Sequence, residues 1–177
     1  MDAESKLIPS YKIGKRTAET TQEFIDDLAS RLNNRIQLSS DAFIPYTNAI
    51  QRTFGHDIDY ATIVKEYSQE PEDRGRYSPP KVFRTTKNDV IGYPDMDFAS
   101  TSYVERSNLN MRMHCRRLTR LTNGFSKKLE NFQAAMDLYF CFYNFVRFHR
   151  TLRITPAMQA GVVGSPLTVQ NLVEMAP

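Results

Sequence analysis

Residues 68–99 interrupt the periodicity of this chain and thereby fix where regular elements can lie. The stretch holds four of the nine prolines, Pro71, Pro79, Pro80 and Pro94, together with Gly75 and Gly92. Proline lacks the backbone donor that helices and ladders need, and glycine favours turns, so the stretch reads as a long loop with one strand at 81–85. A loop of that length in a compact domain is often functional.

Ahead of it, residues 6–14 read as extended, with Pro9 marking an edge or bulge. Thr17 can cap a helix over 17–34 whose apolar row is Phe24, Leu28 and Leu32. A short strand follows at 35–39, where Ile36 and Leu38 alternate with polar neighbours, and Asp41 lies just past its end. A second helix is predicted over 43–54, with Ile50 and Phe54 on one face and Gly55 as its stop. Residues 58–67 read as another strand. Behind the loop, helices are predicted over 102–121 and 127–147. The second presents Phe132, Met136, Tyr139, Phe140 and Tyr143 as core residues. Thr155 and Pro156 open a short helix, and patterning weakens from Gly161. This order implies an α/β domain with helices packed on a sheet. At 177 residues the chain suits one domain, read as a core over 1–160 and a tail over 161–177.

Composition excludes some classes. With 41% hydrophobic and 24% charged residues the chain reads as a soluble globular protein. No apolar run approaches the ~20 residues of a membrane helix, and the opening MDAESKLIPSYK has no apolar signal core. Cys115 and Cys141 are too few and too far apart for a disulfide framework or a zinc site, which fits a reducing compartment. The expectation is a cytoplasmic protein, nucleoid-associated if it binds DNA, without membrane contact or organic cofactor. The net charge of +3 identifies no partner by itself. Its distribution says more, because residues 106–128 carry seven Lys or Arg and no acid.

Glu105 heads that basic run and is the only carboxylate between Asp97 and Glu130. On one continuous helix Glu105, Asn108, Leu109, Arg112, Arg116 and Arg120 share a side. A carboxylate beside a row of guanidiniums can hold a metal next to a phosphate backbone. Two bland readings stay open beside this. Ser102-x-x-Glu105 is also a capping box, and the arginines also suit a solvated face. Metal-dependent phosphoryl transfer needs several carboxylates converging on ions ~4 Å apart. Asp2, Asp41 and Glu105 lie at strand ends or helix starts, although 20 acids offer many triples.

Longer strings carry more information than these spacings. TSYVERSNLNMRMHCRRLTRLTNGFSKKLENF, at 101–132, resembles the C-terminal catalytic segment of bacterial insertion-sequence transposases of the IS-one type. YNFVRFHRTLRITPAM, at 143–158, resembles the tail shared among integrase-like transposases. DAESKLIPSYKIGKR and DDLASRLNNRIQLSSDAFIPY are similar to the same family. The resemblance implies an RNase H-like mixed sheet with flanking helices, its first strand largely missing through N-terminal truncation. It implies a DDE recombinase of a mobile element, which cleaves phosphodiesters and transfers strands at DNA ends. Asp2, Asp41 and Glu105 fall on the catalytic carboxylates and would hold two Mg²⁺ or Mn²⁺ ions. Partners implied are DNA, as element ends and target, and further copies of the chain in a homo-oligomer. Arg106, Arg112, Arg116, Arg120, Lys127 and Lys128 are then phosphate contacts, which position a strand without reading its sequence. Asn108 and His149 are supporting residues. The resemblance also has departures. Ala42 stands where the family has Gly, which predicts strain at a turn needing positive φ. The alternative expectation is an inactive truncated remnant that binds DNA or dimerises without catalysis.

Overall fold

A computed structural model describes residues 1–67, 82–119 and 123–175. The chain divides into two compact units, one of Gly14–Thr101 and one of Met1–Ile13 with Ser102–Pro177. It is mixed α/β, with a three-stranded mixed sheet and flanking helices.

The Gly14–Thr101 unit runs α1 (Ala18–Ser30), β1 (Gln37–Asp41), α2 (Ile44–Phe54), β2 (Asp59–Tyr67) and β3 (Val82–Ile91). Thr17 caps α1 as expected, its hydroxyl accepting from Thr20 N–H at 3.3 Å. The buried row is Thr21, Ile25 and Leu28, with Phe24 packing alongside. The helix stops at Ser30 instead of 34, because Asn33 and Asn34 favour turns over helix interiors. Gly55 ends α2 at φ +57. β1 pairs parallel with β2 (Leu38 opposite Tyr60, Asp41 opposite Ile63), and β2 pairs antiparallel with β3.

β2 is the central strand, and Tyr60, Ala61, Thr62 and Ile63 are buried in succession. Four consecutive buried residues mean that both faces are covered. Tyr60 packs with Ile25, Ala49, Ile50 and Ile58 on the helix side. Ala61 and Ile63 pack with Ala99 and Met96 on the other. The strand expected at 81–85 is longer than its sequence suggested and continues to Ile91. Residues 68–81, with Pro71, Pro79, Pro80 and Lys81, lie outside the described residues.

One knot ties the strand ends of this unit. Arg35 donates to both oxygens of Asp59, at 3.0 and 2.7 Å, and Tyr93 N–H reaches Asp59 at 2.9 Å. The Arg35 hydrogen bond, followed by that of the Tyr93 amide, holds the Asp59 carboxyl down to about 2. Gln37 clamps the next turn, exchanging bonds of 2.8 and 2.7 Å with the Asp95 carbonyl and N–H.

The other unit holds α3 (Ser102–His114), a 3₁₀ turn (Arg116–Leu118), α4 (Leu129–Cys141), a π turn (Phe142–Val146), α5 (Pro156–Gln159) and α6 (Val169–Glu174). The single helix expected over 102–121 is therefore broken, since Cys115 is extended at φ −108 and ψ 102. The helix expected over 127–147 widens after Cys141, where Arg147 N–H bonds the Phe142 carbonyl at 2.9 Å. Met136 and Tyr143 of the expected core face are buried, and Phe132, Tyr139 and Phe140 are partly buried. Thr155 caps α5, with Pro156 at its first position. Thr168 and Asn171 form a capping box on α6, within the tail where patterning is weak.

Residues 6–14 form no strand. Residues 6–8 are instead held by the π turn. Asn144 accepts from Ile8 N–H at 3.1 Å and donates to the Ile8 carbonyl at 2.9 Å, as a neighbouring strand would. The Tyr143 hydroxyl donates to the Lys6 carbonyl at 3.2 Å. Lys6 itself sits at φ +61, a strained position that persists only where neighbours enforce it. Asn144→Ala should remove two bonds worth about 1 kcal/mol each and expose their partners. Limited trypsin digestion should then cut after Lys6 at least about tenfold faster. An unchanged rate would show that Asn144 does not hold the segment.

Candidate nucleic-acid interface

α3 has no buried residue. Glu105 lies in its first turn and is exposed, as are Arg106, Asn108, Leu109 and Arg112. Helical spacing gathers Glu105, Asn108, Leu109 and Arg112 on one side, as the sequence implied. The row does not continue along the same helix. Arg116 falls in the 3₁₀ turn after the break at Cys115, and Arg120 lies outside the described residues. The physical reason is the extended backbone of Cys115, which ends the 100° periodicity that the row required.

Lys127 and Lys128 are exposed just before α4. Among the described residues, no ion pair involves Arg106, Arg112, Arg116, Arg117, Lys127 or Lys128. Cations without an ion pair among the described residues suit a phosphate-facing surface.

The other two candidate carboxylates are engaged locally. Asp2 caps a turn, accepting from Ser5 N–H at 2.8 Å and from the Ser5 hydroxyl. Desolvation pushes its carboxyl up, but the bonds from Ser5 and Glu4 outweigh that and leave it below its ordinary value. Asp41 ends β1 and pairs with Arg16 at 2.6 Å, while that guanidinium lies over the Phe43 ring at 4.1 Å. Both partners of this pair are exposed, so it contributes little stability. Ala42 is not strained, because positive φ among the described non-glycine residues occurs only at Lys6 and Arg153.

Asp2 and Glu105 belong to one unit and Asp41 to the other. Among the described residues, no three His, Cys, Asp or Glu side chains gather as a metal-holding group. The donor type suits magnesium, which takes oxygen ligands.

His149 lies in the loop beyond the π turn, its N–H donating to the Ile154 carbonyl at 2.9 Å. Its Nδ1 is buried and lacks a partner among the described residues. Burial, then Lys6 and Arg147, lower its pKa and favour the neutral ring. Sequence reading missed three features here. Arg16 as the partner of Asp41 is one, and Asn144 as the clamp on Ile8 is another. The third is the open ring of Phe125 beside Arg117. Only the uncompensated cation run around Phe125 was a usable sequence signal. Compared with known proteins, the chain matches no family profile, no curated protein and no solved structure.

Proposed function

We propose that this chain is the core of an insertion-sequence transposase of the DDE type, with α3 facing the DNA backbone. The observation that carries this reading is the exposed side of α3, where Glu105 stands with Arg112 and where, among the described residues, no ion pair engages the cations. Arg106, Arg112, Arg116, Lys127 and Lys128 hold phosphates, and Arg120 belongs to the same run. Asp2, Asp41 and Glu105 are the proposed ligands of two Mg²⁺ or Mn²⁺ ions, which would supply the Lewis-acid chemistry of phosphodiester cleavage and strand transfer. Oligomerisation is proposed because Tyr103, Val104, Leu109 and Met113 of α3 are all exposed, more apolar surface than a lone helix usually leaves to water. No helix among the described residues is long and apolar enough to cross a membrane, and nucleoid association follows from the DNA reading alone.

A second reading is a remnant that binds DNA without catalysis. The bonds that occupy Asp2 and Asp41 favour it, since a metal must displace Ser5 and Arg16 to reach those oxygens.

Salt tests the feature that both readings share. Affinity for duplex DNA should fall steeply with salt, with a log–log slope of about −4 to −6 for five or six phosphate contacts. Arg112→Ala and Arg116→Ala should each weaken binding alike for all sequences and reduce the slope by about one. Binding that ignores salt, or no binding, would overturn the assignment of α3.

A further inference from the structure

The unit that contains α3 also carries a cleft of about 390 Å³. Its walls include Arg117, Phe125, Ser126, Lys128, Leu129 and Phe132. The volume falls within the ~300–1,000 Å³ of small-molecule pockets. Phe125 and Leu129 are 62% and 66% exposed, so these apolar walls are not core. An aromatic face left open to water is a surface on which a flat ring can stack.

The polar groups at this cleft are donors. Arg117 donates to the Ser126 hydroxyl at 2.5 Å, which fixes one edge of its guanidinium. Among the described residues, neither Arg117 nor Lys128 has an ion pair, and no carboxylate lines the cleft. The surrounding run 106–128 is wholly cationic in its charges. Such a site suits a ligand with a flat apolar face and an anionic flank. A base inside a duplex is stacked between its neighbours and offers only its edge, whereas an unpaired base offers its face.

We propose that this cleft binds an unpaired nucleotide of a single-stranded DNA segment, its base on Phe125 and its phosphate at Arg117 and Lys128. The proposal rests on the DNA-binding reading and deepens it, because it specifies a frayed or overhanging end as the form recognised.

The test compares a blunt duplex with the same duplex bearing a short 3′ single-stranded extension that contains 2-aminopurine. Binding is read by fluorescence anisotropy at fixed salt, and stacking by 2-aminopurine quenching. The extension should bind about tenfold tighter than the blunt duplex, with its fluorescence quenched. Phe125→Ala should remove that preference and the quenching, and Phe125→Tyr should retain both. Because Phe125 is exposed, its truncation leaves no core cavity. Duplex binding without preference for the extension would overturn the cleft assignment and leave the DNA reading standing. So would a preference that survives Phe125→Ala. Failure to bind either probe would overturn the DNA reading and the cleft assignment with it.

Discussion

Glu105→Gln is expected to lower strand transfer by about 100-fold or more, the scale on which a misplaced reacting group costs rate, while duplex affinity stays within about twofold. The substitution keeps the size and polarity of the side chain and removes only its charge. On the proposed reading that charge belongs to the reaction, and the phosphate contacts belong to Arg106, Arg112 and the lysines. Losing a negative charge from a cationic surface does not weaken its hold on phosphate. The comparison is therefore a split between rate and binding, measured on one pair of element-end substrates. A capping role predicts something else. Glu105 lies in the first turn of α3, and Gln serves a capping box as Glu does, so a cap at 105 should tolerate Glu105→Gln with both readouts near parental, whereas Glu105→Ala should loosen the helix that presents Arg112 and lower both together. If Glu105→Gln leaves strand transfer intact, Glu105 is not a ligand for the activity, and a fall in both readouts only with Glu105→Ala assigns it the cap. If the parent chain transfers no strand yet binds DNA, the remnant reading holds.

Much of the Gly14–Thr101 unit was legible because its signals are local and periodic. Thr17 marks a helix start, Gly55 marks a helix end, and Leu38 alternates within a strand. These features act over a few residues, the range that a periodicity reading can sample. What escaped depends on residues far apart in sequence. Gln37 and Asn144 each use a side-chain amide in place of a strand edge, across 58 and 136 residues. Neither residue type is unusual where it stands, so nothing in its neighbours announces the pairing. The π turn is similarly silent, because Phe142–Val146 reads as an ordinary continuation of α4.

The candidate site divides along the same line. Glu105 and Arg112 share a side of α3 because 105 and 112 are two helical turns apart. Arg116 needed an unbroken helix, and one extended residue at Cys115 ended the row. That Asp41 lies at a strand end was readable, since Ile36 and Leu38 define the strand before it. Its bond to Arg16 was not, because the two stand 25 positions apart with a whole helix between them. The family resemblance concerned which residue types stand in which order. The pairings that occupy Asp2 and Asp41 are settled by packing, which order does not encode in a single string.

Gly92→Ala is expected to destabilise the chain by about 3 kcal/mol, combining backbone strain with a steric clash. Gly92 sits at φ +71, where an L-residue costs roughly 1–2 kcal/mol. A Cβ there would stand 2.2 Å from Asp59 Oδ1, 2.8 Å from the Ile58 carbonyl and 2.9 Å from Arg35 Nη2. No side-chain tip can simply swing clear, because Asp59 is held by Arg35 on one side and by Tyr93 N–H on the other. Relief must come from breaking that knot, which ties the start of β2 to the turn after β3. Gly55 supplies the control. It also has positive φ, at +57 with ψ −116, but an added Cβ meets nothing within 4 Å, so Gly55→Ala should cost backbone strain alone, about 1–3 kcal/mol. Urea unfolding of the full chain, followed by far-ultraviolet circular dichroism, measures both variants against the parent. A larger loss for Gly92→Ala than for Gly55→Ala assigns the excess to the knot at Asp59. Equal losses would mean that Arg35 and Asp59 shift aside freely, and that the ends of β2 and β3 are held by their ladder alone.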